Sequence, residues 1–327
     1  MESHILPFVV QLLGSNGGMT LANLSTKISW TDVTWSPLTG CTKVSPGCRN
    51  CYAETLDKRF HRDGPYVPWT VAAQRKAGVS AIHLHPERLA APLHWKKPRR
   101  IFVNSMSDLF HEDVPDEFID RVFAVMALAP QHVFQVLTKR PERMLSYLQG
   151  GARFRAMNFA MVLCVEAYQR SALSMLGDGL LIDVYGFVEW PLPNVWLGVS
   201  VENQRYADER LPLLAQCPAA VRFVSAEPLL GPVDLANWQP NNDSDACEEM
   251  DSIAIESQGI LDWVIIGGES GPHHRPMQVE WAQSIVEQCA KAKVPVWMKQ
   301  DSGPRPGQQG RLPDSLWALK QMPGGKP

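Results

Sequence analysis

The sequence has few of the features that would place it among membrane, secreted or strongly basic proteins. Its formal net charge is −3, so no overall basic field attracts nucleic acid and any such binding needs a local patch. The apolar stretch at residues 5–13 is interrupted by Pro7 and Gln11 and is far shorter than the ~20 residues of a membrane span. It also lacks the basic residues that begin a signal peptide. We therefore expect a cytoplasmic protein with no membrane segment.

The sequence also lacks an even number of cysteines that could all pair in disulfides. The chain has seven cysteines, and an odd number without a signal peptide argues against a disulfide framework. We expect the four scattered cysteines to be small buried residues. They are Cys164, Cys217, Cys247 and Cys289. The other three lie between positions 41 and 51 and need a different explanation.

Short runs of β-branched and aromatic residues predict seven strands. They are Val33–Ser36, Ile101–Ser105, Val133–Thr138, Val195–Val201, Val221–Ala226, Trp263–Gly267 and Val294–Lys299. Their nearly continuous apolar character is typical of strands that are buried on both faces of a parallel sheet. Helical patterns such as Asp116–Leu128 and Glu280–Ala292 lie between them. The sequence therefore predicts an α/β fold, a full or partial (β/α) TIM-like barrel of about six to seven mainly parallel strands.

The same alternation sets the domain boundaries. It covers residues 27–301, which we expect to form one barrel domain. Residues 1–26 differ in composition and are expected to be a flexible N-terminal extension. Two stretches interrupt the pattern as insertions, near residues 150–193 and 237–258, and the second is polar and acidic. Residues 302–327 are predicted to be a loop-rich tail with a short helix near Ser315–Lys320.

Polar residues follow almost every predicted strand. The segments are Asn104–Asp108, Thr138–Arg140, Ser200–Asn203, Ser225–Glu227 and Gly267–Ser270. Any one of them is explained by a helix cap or a turn. Chemistry in these folds, however, is located at the C-terminal ends of the strands, which meet at one opening. Together the segments predict a functional site there.

The clustered cysteines, Cys41, Cys48 and Cys51, have the spacing C-x6-C-x2-C. Glycine and proline residues in the intervening loop allow the sulfurs to converge on one centre. Structural zinc normally takes four protein ligands, and the nearest histidine, His61, lies ten residues further on. Unligated core cysteines are a second interpretation. A four-iron cluster on three thiolates, with one iron left open for a substrate or cofactor, is the interpretation that we favour.

The segments around these residues resemble the radical S-adenosylmethionine superfamily, and in particular its phage-type three-cysteine-motif branch. The similar segments are Ile28-Ser-Trp-Thr-Asp-Val-Thr-Trp-Ser-Pro, Cys51-Tyr-Ala-Glu, Asn104-Ser-Met-Ser-Asp-Leu-Phe-His, Leu137-Thr-Lys-Arg-Pro, Trp196-Leu-Gly-Val-Ser-Val-Glu-Asn, Phe223-Val-Ser-Ala-Glu-Pro-Leu, Ile265-Ile-Gly-Gly-Glu-Ser-Gly and Val296-Trp-Met-Lys-Gln. Together these segments are specific for that branch, whereas no single segment is. The cysteine spacing differs from the commoner C-x3-C-x2-C of this superfamily. The difference changes the expected geometry of the loop and leaves the three cysteines as the expected ligands.

The resemblance implies a [4Fe–4S] cluster on Cys41, Cys48 and Cys51 at the C-terminal opening of the barrel. The cluster would bind S-adenosylmethionine and cleave it reductively to methionine and a 5′-deoxyadenosyl radical, which takes a hydrogen atom from a substrate. An electron donor such as flavodoxin or ferredoxin would be a partner. The expected substrate is a nucleotide or a nucleic-acid base. Alternatives are a small-molecule or peptide substrate, or a non-catalytic, metal-stabilised nucleic-acid-binding protein.

The resemblance also implies which residues contact the cofactor. Tyr52 would pack near the adenine, and Ser105, Ser107 and Asp108 are candidates for binding the methionyl amino group. By their position at the third strand end, Lys139 and Arg140 are candidates for binding a carboxylate or a phosphate. Ser200, Glu202 and Asn203 are candidates for binding ribose hydroxyls, and Glu227 and Glu269 for contacting the substrate or the cofactor. Gly267 and Gly268 permit a close approach of the backbone.

A basic segment follows the first predicted strand. It is either an ordinary solvated surface or a rim that guides a phosphate-bearing substrate. In the second interpretation it shares that rim with the residues around position 274. The residues involved are Arg75, Lys76, His83, His85, Arg88, His94, Lys96, Lys97, Arg99, Arg100, His273, His274 and Arg275.

Overall fold

The computed structural model describes residues 26–60, 82–160, 189–236 and 260–324, with the backbone alone for residues 57–60. The predicted N-terminal extension lies outside these ranges except for its last residue. The predicted insertion at 237–258 lies wholly outside them, as does most of the insertion at 150–193. The boundaries of those segments therefore stay predictions.

Seven strands form one parallel sheet, and their order in the sheet follows the chain: β1-β4-β5-β6-β7-β8-β9. A separate antiparallel pair is formed by β2 and β3. The strands are β1 Val33–Trp35, β2 Leu38–Thr39, β3 His83–Leu84, β4 Arg100–Val103, β5 Val133–Thr138, β6 Val195–Ser200, β7 Val221–Ala226, β8 Trp263–Gly267 and β9 Val296–Gln300. The predicted α/β fold is confirmed as a partial TIM-like barrel. All seven predicted strands of the sheet are present within two residues of their expected ends.

Helices connect the strands. They are α1 Tyr52–Phe60, α2 Asp116–Ala127, α3 Pro141–Gln149, α4 Gln204–Gln216, α5 Val279–Ala292 and α6 Asp314–Trp317, and residues 152–160 are also helical. The two helices predicted from periodicity, α2 and α5, are confirmed, as is a short helix in the tail. Among the described residues, no helix combines the length and the apolar character needed to cross a bilayer.

Alternation along the strands gives the sheet two different faces. One face carries aliphatic and aromatic residues such as Ile101, Phe134 and Val136, which pack into the main hydrophobic core together with the helices. The opposite, inner face carries an aromatic cluster. Its buried members are Trp30, Phe102, Trp196, Phe223, Trp263, Ile265 and Met322. Because a partial barrel leaves its interior incompletely enclosed, bulky rings are needed to fill it.

The aromatic side chains pack so closely that position 198 has room only for glycine. Trp30 lies with its ring centroid 4.7 Å from that of Phe102 and 6.0 Å from that of Trp263. A Cβ atom added to Gly198 would lie 2.6 Å from the ring of Phe223, which is closer than packed atoms allow. The rings therefore fill the interior of the partial barrel beside the strands that carry them.

Candidate functional site

A cavity of about 230 Å³ lies at the C-terminal ends of the parallel strands. Its lining includes the aromatic residues Trp30 and Phe102 and the three cysteines Cys41, Cys48 and Cys51. Residues that follow β4, β5, β7 and β8, or that end β6 and β9, complete the lining. The expectation that polar strand ends meet at one site is therefore met by the geometry.

Most of the residues predicted from the sequence line this cavity. They are Cys41, Cys48, Cys51, Tyr52, Ser105, Ser107, Asp108, Lys139, Ser200, Glu227 and Glu269. Three predicted residues, Glu202, Asn203 and Gly267, are not part of the lining. Asn203 is the N-cap of α4, where its side chain accepts a hydrogen bond from the backbone N–H of Tyr206 at 3.4 Å. That contact corresponds to the capping alternative considered from the sequence.

The cysteine loop, residues 40–51, presents three free, partly buried thiols. A short turn at Pro46–Cys48 places Cys48, whose backbone N–H donates to the carbonyl of Ser45 at 3.0 Å. Cys51 directly precedes α1, and the backbone N–H groups of Ala53 and Glu54 donate to its sulfur. A helix N-terminus with free N–H groups favours a negatively charged sulfur.

Burial has the opposite effect on the thiols. It raises the pKa of Cys41 to about 12 and raises the pKa of Cys51 as well. Both are therefore protonated at neutral pH in the metal-free chain. Arg140 partly opposes this effect at Cys41, because its Nη1 lies 3.6 Å from that sulfur. A metal that binds these thiols must displace their protons.

Asp108 holds the first part of the cysteine loop through Arg140. The Asp108 carboxylate accepts hydrogen bonds from the Thr138 hydroxyl at 2.7 Å, from the Lys139 backbone N–H at 3.1 Å and from Arg140 Nη1 at 3.1 Å. Arg140 Nη2 then donates to the hydroxyl of Thr42 at 2.7 Å and to its carbonyl at 3.2 Å. The ends of β4 and β5 are thereby tied to the residue after Cys41.

Glu202 holds the middle of the loop. This fully buried carboxylate lies 2.9 Å from Lys139 Nζ and 3.2 Å from Arg210 Nη1, and it accepts a hydrogen bond from the Ser45 hydroxyl at 2.6 Å. Burial alone would raise its pKa, but Lys139 and Arg210 outweigh burial and lower the pKa of Glu202. Gly47 packs directly on the same side chain, since a Cβ atom there would lie 2.4 Å from Glu202 Oε1.

Glu269 holds the last part of the loop. Arg275 donates to it through Nε at 2.9 Å and Nη2 at 2.5 Å, and Asn50 Nδ2 donates at 3.0 Å. Burial opposes its ionisation, but the Arg275 hydrogen bonds outweigh burial and lower the pKa of Glu269. Arg275 Nη2 also reaches the Pro46 carbonyl at 2.9 Å. We refer to Asp108, Glu202 and Glu269 together as the loop-binding carboxylates.

Other predicted residues also make contacts within the chain. The Tyr52 hydroxyl donates to the carbonyl of Ser105, and the ring is about half exposed. The Ser107 hydroxyl donates to the Leu38 carbonyl at 3.0 Å. Glu227 forms a close ion pair with Lys299 at the edge of the cavity. Gly267 lies behind that pair, because a Cβ atom there would be 3.3 Å from Glu227 Cδ.

The cavity floor, defined as Trp30, Phe102, Asn104, Ser200 and Ser225, is different. All five are buried, and all line the cavity. Within the described part of the chain, Trp30 Nε1 and both polar atoms of the Asn104 side chain have no hydrogen-bond partner. The sequence analysis placed Asn104 in a polar strand end but did not single it out. Its position directly after β4, which ends at Val103, was the available signal, since polar residues at C-terminal strand ends meet at the site.

The structure divides the basic residues of the predicted rim between the two ends of the sheet. Arg88 Nη1 donates to the carbonyl of Ser36 at 3.4 Å, directly after the C-terminal end of β1. Lys96, Lys97 and Arg99 come directly before β4, which begins at Arg100. They therefore lie at the N-terminal edge of the sheet, at the opposite end from the cavity, whereas Arg275 binds Glu269 beside it. Arg75 and Lys76 lie outside the described residues.

The remaining cysteines follow the expectation where they are described. Cys217 and Cys289 are free and fully buried; Cys164 and Cys247 are outside the described ranges. Across 26–60, 82–160, 189–236 and 260–324, no group of three or more His, Cys, Asp or Glu side chains is arranged around the position of a metal ion.

Fold and site together define an α/β partial-barrel protein with a cysteine-lined cavity at its strand ends. The model of a family described as protein of unknown function (DUF5131) matches residues 25–312, and the chain belongs to this family. No curated protein and no solved structure matches the chain.

Proposed function

We propose that the protein is a radical S-adenosylmethionine enzyme whose cysteine loop holds a [4Fe–4S] cluster. The observation that carries this proposal is that Cys41, Cys48 and Cys51 line one cavity at the C-terminal strand ends of a partial TIM-like barrel. Active sites of such folds lie at that end. The sequence resemblance to the phage-type three-cysteine-motif branch supports the same assignment.

The donor set fits a cluster better than a single ion. In an iron–sulfur cluster each thiolate binds a different iron, so the sulfurs need not surround one point. Arg140 and the N–H groups at the start of α1 are directed at two of the sulfurs, and hydrogen bonds to cluster sulfurs tune the reduction potential. Three thiols also leave one iron without a protein ligand, where S-adenosylmethionine would bind.

When bound and reduced, the cluster would supply the electron that cleaves S-adenosylmethionine and generates the 5′-deoxyadenosyl radical. The chain's own residues would hold the cysteine loop in place and orient the bound molecules. The aromatic rings of the cavity floor, Trp30 and Phe102, would exclude water. Glu227 and Lys299 line the cavity as an ion pair, where they would contact a bound molecule without leaving a charge unpaired. Excluding water protects a reactive radical from side reactions.

The proposal includes a substrate class and a partner. We propose a nucleotide or a nucleic-acid base as the substrate, and a small electron-transfer protein such as flavodoxin or ferredoxin as the electron donor. The support for this substrate class is the sequence resemblance, together with a cavity floor that combines aromatic rings with neutral polar groups. We also propose a cytoplasmic location, because the described cysteines are free thiols, as is usual in a reducing compartment.

Anaerobic reconstitution tests the proposal. Full-length protein is loaded with iron and sulfide, reduced with dithionite and incubated with S-adenosylmethionine, and 5′-deoxyadenosine is measured by chromatography. We expect formation of 5′-deoxyadenosine that depends on both reductant and protein. A loaded protein that forms none would contradict the proposal.

Two variants make this assay specific. Cys48→Ala should abolish formation of 5′-deoxyadenosine, because it removes one of the three proposed ligands. Cys289→Ala is the matched control, since it removes a fully buried thiol outside the cavity. Equal activity of Cys48→Ala and Cys289→Ala would overturn the ligand assignment.

A further inference from the structure

Asn104 combines two unfavourable features at the floor of the cavity. Its backbone has φ of 60°, a left-handed conformation that is uncommon for residues other than glycine. Its side chain is buried, with 3% of the residue exposed, and neither Nδ2 nor Oδ1 has a partner among the described residues. Native proteins rarely leave a buried carboxamide without hydrogen bonds.

The backbone around Asn104 fixes the direction of this side chain. Its N–H donates to the Trp35 carbonyl at 2.8 Å, and its carbonyl accepts a hydrogen bond from the Ser107 N–H at 3.2 Å. The first contact ties the residue to the end of β1, and the second closes the turn after β4. The carboxamide is therefore held in the cavity lining by contacts that do not involve its own polar atoms.

The chemistry of the surroundings indicates which group is recognised. A carboxamide places a donor and an acceptor side by side, and it pairs with the edge of a nucleobase such as adenine through two hydrogen bonds. Phe102 and Trp30 contribute aromatic surface to the lining of the same cavity, with ring centroids 4.7 Å apart, and planar bases stack on such surfaces. Trp30 Nε1 is a further buried donor without a partner in the described chain.

We propose that Asn104 is a binding residue that recognises the hydrogen-bonding edge of a nucleobase in the cavity. This inference rests on the proposed function, since it specifies what that site binds. The base belongs either to S-adenosylmethionine or to a separate nucleotide, and both sources present the same chemistry.

Binding measurements on two variants test the assignment. Asn104→Gly removes the carboxamide and suits a positive φ, while Asn104→Asp keeps the shape and replaces the donor with an acceptor. Lys293→Gly is the matched control, because Lys293 has φ of 58° at the exposed end of α5, away from the cavity. Isothermal titration of full-length reconstituted protein uses adenosine, guanosine, cytidine, uridine, S-adenosylmethionine and methionine as probes.

We expect at least one nucleoside, or S-adenosylmethionine, to bind the wild-type protein and to bind both Asn104 variants about tenfold or more weakly. Asn104→Gly loses both hydrogen bonds, and Asn104→Asp loses the donated one and places a carboxylate oxygen against an acceptor of the base. Lys293→Gly should bind like the wild type, and the affinity for methionine should not change. Without ligand, Asn104→Gly should melt no lower than the wild type, because it removes an unpaired buried group. A residue with a merely structural role would instead lower the melting temperature and leave affinities unchanged.

The outcomes separate the two sources of the base. A loss confined to nucleosides places the base in the substrate, and a loss for S-adenosylmethionine with methionine unchanged places it in the cofactor. The assignment is overturned if no probe binds the wild type, or if the affinities of the wild type and the Asn104 variants are equal. It is also overturned if the variants lose affinity for methionine to the same extent as for the other probes. Iron content measured on the same samples distinguishes this failure from that of the proposed function. A protein that lacks a cluster but still binds nucleosides through Asn104 would contradict the proposed function and leave the assignment of Asn104 intact.

Discussion

The cysteine loop and the cavity floor line the same space but are stabilised in different ways. On the loop side, each of the three loop-binding carboxylates has several partners within the chain, among them Arg140, Arg210 and Arg275. On the floor, Trp30 Nε1 and the carboxamide of Asn104 have none among the described residues. The contrast separates groups that hold the site from groups that are available to a ligand.

The physical reason lies in the cost of burying charge. A buried carboxylate without a partner is strongly destabilising, so the chain must supply partners of its own. A neutral amide or indole N–H costs less when unpaired and can be left for a ligand. The prediction that Asp108, Glu202 and Glu269 contact S-adenosylmethionine stays a prediction, but the contacts that the structure shows for them are with the cysteine loop or with side chains that hold it.

The largest effect is expected from the loop side. Glu202→Gln keeps the shape but leaves Lys139 and Arg210 without their buried counter-charge. Breaking a buried pair of this kind costs about 3–5 kcal/mol. Urea denaturation measures the change in the free energy of unfolding, and iron loading of the folded fraction should fall with it.

An exposed ion pair supplies the control for this variant. Glu112→Gln also removes a carboxylate partner of an arginine, Arg140, but the Glu112 side chain is 63% exposed. Exposed pairs contribute at most about 1 kcal/mol. Similar losses in the two variants would contradict the assigned role of Glu202.

A smaller effect is expected from adding a methyl group where the cysteine loop packs on Glu202. Gly47→Ala places a methyl group where Glu202 Oε1 lies 2.4 Å away, so the loop must shift. Such overpacking costs about 1–3 kcal/mol, and we expect slower and less complete cluster loading. Gly303→Ala is the matched control, because the nearest atom to its added Cβ is 3.6 Å away; unchanged loading in Gly47→Ala would break the connection between loop packing and cluster binding.

Acid should weaken the loop side in a defined direction. The pKa values of Glu202 and Glu269 are lowered from their usual 4.5, so these groups bind fewer protons when folded than when unfolded. Their contribution to stability is complete above pH 4.5 and is lost as the pH falls through the lowered values. Denaturation curves over this range should show a smaller acid-induced loss in Glu202→Gln than in the wild type; an identical loss would count against the electrostatic account.

The smallest effect is expected on the floor. Ser225 is buried and lines the cavity, and no hydrogen bond of its hydroxyl is found among the described residues. Ser225→Ala should therefore change the free energy of unfolding by no more than about 0.5 kcal/mol, well below the effect of Glu202→Gln. A loss of several kcal/mol, measured by the same urea denaturation, would remove the distinction between floor and loop.

The sequence predicted the framework of the molecule well and the pairing of its polar residues poorly. Buried parallel strands have a nearly continuous apolar pattern, so the ends of β5, β7 and β8 were predicted to the residue. The cysteine spacing identified the loop because three cysteines so close together are rare in a core. Which strand-end residues bind each other depends on their three-dimensional neighbours.

Glu202 illustrates this limit. Its partners are Lys139 at the end of the adjacent strand, Arg210 two turns into α4, and Ser45 in the cysteine loop. Only the opposite charges of Lys139 and Glu202 at neighbouring strand ends gave a sequence signal for the pairing. For Asn104, the absence of partners is a property of the folded cavity that no sequence pattern reveals.

The central claim is that the cysteine loop binds an iron–sulfur cluster through three thiolates. Measuring metal identity and content after anaerobic reconstitution tests it most directly, with acid-labile sulfide and electron paramagnetic resonance of the reduced protein. We predict about four iron and four sulfide per chain in the wild type and in Cys289→Ala, and loss of the signal in Cys41→Ala, Cys48→Ala and Cys51→Ala. Stoichiometric zinc without sulfide, or full iron content in the three alanine variants, would contradict the claim.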